Sequence, residues 1–198
     1  LGDNVVERSQ NTPWYQGSPL LYTLENVHIA GDRNHADARF PVQFVIRPQR
    51  DEFHDYRGYA GMIESGIYRP GDEIVALPSG FKSKIKSIDF GGKNLEEAYA
   101  PMSVTLTIED DIDISRGDML VKPESMPQVS QDVELMVCWL SDKKLVLNGK
   151  YAIKHTSKEA RCIVKEVKYK VDINTLEKAE GVDVGLNDIA RIVIRTTS

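Results

Sequence analysis

The sequence predicts a mainly β protein, with two consecutive β domains of roughly 90 and 70 residues behind one short helix. Three observations predict it. From Arg39 onward apolar and polar residues alternate with period two, the mark of half-buried strands. Turn clusters rich in Gly, Pro, Asp and Ser recur at short intervals. Helical spacing is confined to one stretch near the start. Many short strands with almost no helix favour closed or sandwiched β domains.

The helical stretch runs over residues 18–27. Ser18-Pro19 reads as an N-cap followed by proline at the first helical position. Leu20, Leu21, Leu24 and Val27 follow at helical spacing, and Ala30-Gly31-Asp32 ends the run. A helix this short is marginal alone in water, so its apolar face requires a partner. The first clear strand places Phe40, Val42, Phe44 and Ile46 on one face. Residues 74–77 and 81–90 give two more, split by Pro78-Ser79-Gly80, with Lys82, Lys84 and Lys86 on one solvated face. Met102, Val104, Leu106 and Ile108 alternate with Ser103, Thr105 and Thr107. Arg69-Pro70-Gly71-Asp72 and Ser115-Arg116-Gly117-Asp118 are turns between strands.

Pro123-Glu124-Ser125-Met126-Pro127 reads as the linker, because two prolines bracket an aperiodic polar stretch. Beyond it lie a continuous apolar run at 133–140, a short strand at 151–153, an alternating segment at 165–173 and a terminal strand at 189–194. The resulting division is an exit segment and helix at 1–30, a first β domain at 31–124 and a second at 125–198.

Composition excludes several function classes. The 198 residues are 41% hydrophobic and 28% charged, with a net charge of −5. No apolar run approaches the ~20 residues a membrane helix needs. Cys138 and Cys162 provide no disulfide framework, which points to a reducing cytoplasm, and the bland reading of Cys138 is a buried small hydrophobe. Mild acidity argues against bulk nucleic-acid binding. The charge is uneven, however. Residues 142–170 carry nine Lys/Arg against three Asp/Glu, a net of +6 that leaves −11 elsewhere. A basic face of this kind is the one feature that suits RNA; a solvated face of lysines explains it more simply.

No catalytic constellation is visible. His28, His35, His54 and His155 lack partners at i+3 or i+4, and neither cysteine has C-x-x-C spacing. Gly91-Gly92-Lys93-Asn94 and Asn148-Gly149-Lys150-Tyr151 contain Gly-Lys pairs, but the first glycine and the closing hydroxyl of a P-loop are missing. Both read as hairpin turns. Asp55-Tyr56-Arg57-Gly58 spells D-x-x-G without further support. Glu109-Asp110-Asp111-Ile112-Asp113 lacks calcium-loop spacing and reads as a turn of solvated aspartates.

Several segments, taken in order, resemble a known family. They are Gly2-Asp3-Asn4-Val5, Pro13-Trp14-Tyr15, Phe40-Pro41-Val42-Gln43-Phe44-Val45 with Arg47-Pro48, and Arg57-Gly58-Tyr59-Ala60-Gly61-Met62-Ile63-Glu64-Ser65-Gly66. Leu77-Pro78-Ser79-Gly80, Asp111-Ile112-Asp113-Ile114-Ser115-Arg116-Gly117-Asp118 and Leu186-Asn187-Asp188-Ile189-Ala190-Arg191-Ile192 continue the series. The chain is thereby similar to the large, GTP-binding subunits of bacterial sulfate adenylyltransferase (ATP sulfurylase), translation-factor GTPases related to elongation factor Tu. The resemblance implies two antiparallel β-barrels of the domain II and III type, the second lacking its last strand. That strand's absence would leave an exposed edge prone to pairing.

The resemblance further implies a fragment without its GTPase domain, which in the parent holds GTP and magnesium. The parent adenylates sulfate with ATP, driven by GTP hydrolysis, while adenylyl transfer belongs to a separate small catalytic subunit. No catalytic, cofactor-binding or metal-binding residue is therefore expected here. The expected partners are the small subunit and the chain's own GTPase domain, with neither membrane nor nucleic acid. The turns around Arg57, Gly58 and Tyr59 and around Arg116, Gly117 and Asp118 are the candidate interface, offering charge and an aromatic to a neighbour. The alternative is an elongation factor Tu-like module that binds RNA through residues 142–170.

Overall fold

The computed structural model describes residues 2–27, 33–48, 56–181 and 183–197. His28, His54, Asp55 and the helix end expected at Ala30–Asp32 lie outside the described residues. No helix among the described residues is long and apolar enough to cross a membrane.

Residues 1–34 form a compact unit of their own. Its helix α1 (Leu20–Asn26) starts later than the sequence suggests, with Pro19 rather than Ser18 at the N-cap and no side-chain cap. Pro19 is extended at ψ 152°, so it cannot open the helical run. The amides that a cap would serve turn instead to the irregular lead, where Leu20 N donates to Asn4 O (2.8 Å) and Leu21 N to Val5 O (2.8 Å).

Residues 35–198 form the second unit, which contains both β domains. The first comprises β1 (Arg39–Pro41), β2 (Phe44–Ile46), β3 (Gly58–Met62), β4 (Ile67–Tyr68), β5 (Glu73–Leu77), β6 (Phe81–Phe90), β7 (Lys93–Asn94), β8 (Ala98–Tyr99), β9 (Ser103–Ile108) and β10 (Met119–Val121). The main sheet runs β1-β10-β5-β6-β9-β3-β2, antiparallel throughout. Because β1 and β2 are halves of one segment, the two ends of that order are continuous chain and the sheet closes into a barrel.

Closure explains a departure from the simple alternation. Phe40 and Val42 point inward as expected, but Phe44 is 65% exposed and Val45 packs on the core instead. The phase slips at Val42–Gln43, where the chain leaves β10 for β3. Val42 N donates to Asp118 O (2.8 Å) and Gln43 N to Ala60 O (2.9 Å). Opposite this corner Gly61 must lack a side chain, since a Cβ there collides with the Pro41 carbonyl. Elsewhere the alternation holds. Val104, Leu106 and Ile108 are buried on β9, and Lys82, Lys84 and Lys86 share an exposed face of β6. The core centres on Phe40, Tyr59, Tyr68, Ile88, Leu106 and Leu120. Tyr68 meets Phe40 edge-on at 6.2 Å and donates its hydroxyl to Leu120 O (2.7 Å), and burial drives its phenol far above the ordinary range.

The expected linker is partly structured. Pro123–Ser125 makes a 3-10 turn, and Arg39 Nη1 donates to Ser125 O (2.6 Å). The second β domain follows, with β11 (Asp132–Cys138), β12 (Lys150–His155), β13 (Lys158–Val171), β14 (Lys178–Ala179) and β15 (Ile189–Thr196). Its order is β11-β15-β13-β12, with β14 beside β13. Among the described residues this sheet is open, and β11 and β12 are its edges. The run at 133–140 is consequently an edge strand, not a buried one. Leu135, Val137 and Trp139 face the core, while Cys138 lies on the outer face by parity and is exposed. The buried cysteine is Cys162 on β13, whose thiol burial pushes up. Strand β13 begins seven residues before the expected 165, and a bulge between Val164 and Glu166 shifts its inward positions from Cys162 and Val164 to Val167. Asp188 Oδ2 pins the loop ahead of β15, accepting from Lys170 Nζ (2.6 Å) and Gly185 N (2.8 Å).

Two outcomes are expected. Phe40→Ala destabilises the chain by ~3–5 kcal/mol, whereas Phe44→Ala stays within about 0.5 kcal/mol, both read from denaturant titrations. The Gly185 amide and then the Lys170 ammonium hold the Asp188 carboxyl below its usual range. Its contribution is therefore present above the unfolded value near ~3.9 and is lost as pH falls through the folded one. Asp188→Asn should lower stability at neutral pH and flatten the acid limb of a stability-versus-pH curve.

Candidate interface site

Arg57 stands at the entrance to β3, and Gly58 and Tyr59 are its first two residues. On β3 Tyr59 pairs with Leu106 and points into the barrel, so its ring is wholly buried and is not offered to a neighbour. Only its hydroxyl reaches out, donating to Ile112 O (3.3 Å). Burial raises the phenol's pKa, and the Arg57 guanidinium beside it partly offsets that rise. Arg57 remains half-buried. It donates to the same Ile112 carbonyl (3.3 Å) and pairs with Asp111.

The acidic side chains are solvated, as expected, but several also have partners. Asp111 is held by Arg57, and Asp113 lies 3.8 Å from Arg47. Asp110 Oδ2 accepts from Ser83 Oγ (2.8 Å), and Asp110 N donates back to that oxygen (3.2 Å). An open groove of about 590 Å³ runs past it, with Arg47, Tyr56, Arg57 and Lys86 facing Glu109 and Asp111.

The second candidate turn is built differently. Ser115 N donates to Asp118 Oδ2 (2.8 Å) and Asp118 N to Ser115 O (3.1 Å), with Gly117 at φ +97°. Arg69–Asp72 repeats the arrangement, with Arg69 N on Asp72 Oδ2 (2.7 Å). Glycine supplies the left-handed angle in both turns. Arg116 Nη1 donates to Gln43 O (2.5 Å) and Gly117 N to Val42 O (3.0 Å), which fixes the turn to the β1–β2 corner. The structure thus brings Arg57 and Tyr59 together at Ile112 and places Arg116, Gly117 and Asp118 at the barrel's corner.

Neither Gly-Lys pair cradles a phosphate. Gly91–Gly92 is a two-residue hairpin turn between β6 and β7, and Gly92 N already donates to Asp89 Oδ1 (3.3 Å). Asn148–Gly149 is not a hairpin but a turn ahead of β12, with Asn148 N on Val164 O (2.8 Å) and Gly149 N on Val146 O (2.9 Å). Amides engaged in this way are not available to a ligand. Among the described residues no three His, Cys, Asp or Glu side chains are grouped to hold a metal. His35 stacks edge-on against Tyr99 at 6.5 Å.

Three of the nine cations in the basic stretch pair with acids distant in sequence. Lys144 pairs with Asp183 (2.8 Å), Lys168 with Glu134 (3.1 Å) and Lys170 with Asp188 (2.6 Å). These acids lie outside residues 142–170, so a count along the chain overstated the field. The RNA-binding alternative finds no support.

Comparison with known proteins defines the class first. Residues 132–198 match a family described as GTP-eEF1A C-terminal domain-like. The chain superposes on Sup35 complexed with GDP at a TM-score of 0.73 and 16% identity, covering 99% of this chain and 48% of that one. Translation elongation factor SelB from Methanococcus maripaludis gives 0.65 at 21% identity, covering 90% and 39%. The fold is thus the tandem β-domain arrangement found in these factors.

Closer relatives narrow it. The chain is 47% identical to sulfate adenylyltransferase subunit 1 of Bacteroides fragilis and 45% identical to the bifunctional enzyme CysN/CysC of Mycobacterium tuberculosis, each over 98% of its length. The chain is similar to part of each, spanning 40% of the first relative's length and 32% of the second's.

Arg57→Gln should loosen the acidic segment without touching the core. Hydrogen exchange at the 109–113 amides is expected to rise several-fold while the amides of β9 keep their protection.

Proposed function

We propose that the chain is the β-barrel portion of a sulfate adenylyltransferase subunit 1 and works through contacts, not chemistry. What supports this most is its 44–47% identity, over nearly its whole length, to relatives bearing that name. In this reading residues 1–30 are the exit segment and last helix of a GTPase domain, 31–124 are the first barrel and 125–198 belong to the second. The parent complex converts sulfate and ATP to adenosine 5′-phosphosulfate and pyrophosphate in the cytoplasm, driven by GTP hydrolysis. GTP and magnesium belong to the GTPase domain, and adenylyl transfer belongs to the small catalytic subunit.

The barrels then hold these two partners in register and pass the nucleotide state between them. Such coupling requires contacts that differ between the two states. The groove beside Arg57 is the proposed contact with the small subunit. Its cations and its acidic wall offer both signs of charge at the surface, which favours a charged protein neighbour.

Residues 1–198 alone should bind neither GTP nor ATP by calorimetry, and micromolar binding of either rejects the reading. In the full-length subunit Arg57→Glu should weaken association with the small subunit at least tenfold. Lys86→Glu, which leaves the Arg57–Asp111 pair in place, should act in the same direction. Unchanged affinity in both variants removes the groove from the interface.

A further inference from the structure

We propose that the Ser115–Asp118 turn is an internal socket, and that the β12–β13 hairpin tip, through Ser157, is the key that seats the second β domain on the first. It applies to the chain whatever complex the chain serves.

The tip is a two-residue turn, Thr156-Ser157, between paired His155 and Lys158. Thr156 takes the left-handed angle, φ +54°, that such a turn needs. A polar residue at a hairpin tip is ordinarily solvated, yet Ser157 is only 9% exposed and is one of two buried polar residues among those described. Its hydroxyl donates to Val42 O (2.8 Å), 115 residues away in the first β domain. Val42 is the residue at which the closing strand changes neighbours.

That carbonyl also accepts from Gly117 N (3.0 Å), so one oxygen is shared by the barrel's own turn and the incoming tip. Arg116 closes the adjoining position by donating to Gln43 O (2.5 Å). Lys158 then lies against the bare face of Gly117. A Cβ built on that glycine falls 3.4 Å from both Cα and Cβ of Lys158. Glycine is needed here for the positive backbone angle, and a Cβ in its place would make ordinary van der Waals contact with Lys158, so the two domains touch at this turn. A hydroxyl is required at 157 because it donates. A carboxylate in its place has no proton to offer and meets the Val42 oxygen with like charge in a desolvated site.

The turn that resembled an external docking loop is thus occupied from within the chain. Its arginine stays exposed while one guanidinium nitrogen holds the corner through Gln43 O. The relation between the two β domains is set at this contact and not by the 126–131 connection, whose Met126 and Val129 are exposed.

The test is nuclear magnetic relaxation on the whole chain, comparing the correlation times of residues 56–121 and 132–196. The unmodified protein should give one shared value, and Ser157→Asp should give two, the second domain tumbling faster. Aspartate is at home in a tight turn, so the hairpin itself should persist. A shared value in folded Ser157→Asp overturns the proposal, as do two values in the unmodified chain. A second arm is independent of that variant. Gly117→Cys with Lys158→Cys, in a Cys138→Ser background, should close a disulfide on mild oxidation, since the two Cβ positions lie near bonding distance. Failure of the folded double variant to cross-link likewise overturns it.

Discussion

Val42 and Gln43 carry consecutive backbone amides that point to opposite neighbours, and the first β domain depends on that reversal. One bonds toward β10 and the other toward β3, so eight residues serve as both the first and the last strand of the sheet. A barrel made in this way has no free edge in its main sheet. The cost appears as a local break in side-chain phase, which puts Phe44 outside and Val45 inside. Two glycines sit at this corner. Gly61 lies under Pro41, and Gly117 lies under the neighbouring domain.

Electrostatics act mainly between segments that are remote in sequence. Arg57 gathers the acidic segment by an ion pair with the exposed Asp111 and by a hydrogen bond to Ile112 O, so its hold does not rest on the surface ion pair alone. In the second β domain Glu134 on β11 sits between Lys168 and Arg191 and joins an edge strand to two inner ones. Asp183 and Asp188 perform the same service for a long loop. Part of the +6 of the linear sequence is thus offset on folding, by Asp183, Glu134 and Asp188.

Much of the architecture was legible in the sequence because its causes are local. Period-two burial on β9, the lysine face of β6 and the Gly-Asp turns follow from side-chain alternation and backbone angle. Where local rules failed, a long-range pairing had overruled them. The slip at Val42–Gln43 exists only because the barrel closes, and Cys138 faces outward because its neighbours Val137 and Trp139 take the core face of a sheet covered on one side. Of the candidate residues, Arg57 could be recognised as a charged residue at a strand entrance, but the burial of Tyr59 could not. Ser157 carried no signal beyond a turn between two alternating runs. Nothing local distinguishes a hairpin tip that meets water from one that meets another domain.

The chain has two tryptophans, and their placement divides it optically. Trp14 is 76% exposed in the N-terminal unit, whereas Trp139 stacks edge-on against Tyr151 at 5.6 Å and donates its indole N–H to Lys143 O (2.7 Å). The first barrel holds tyrosines and phenylalanines but no tryptophan. Indole emission therefore reports the second β domain against a solvent-exposed reference, and the first barrel contributes none of it. Red-edge excitation, which tyrosine does not absorb, thus follows the second β domain and the N-terminal unit without a signal from the first barrel.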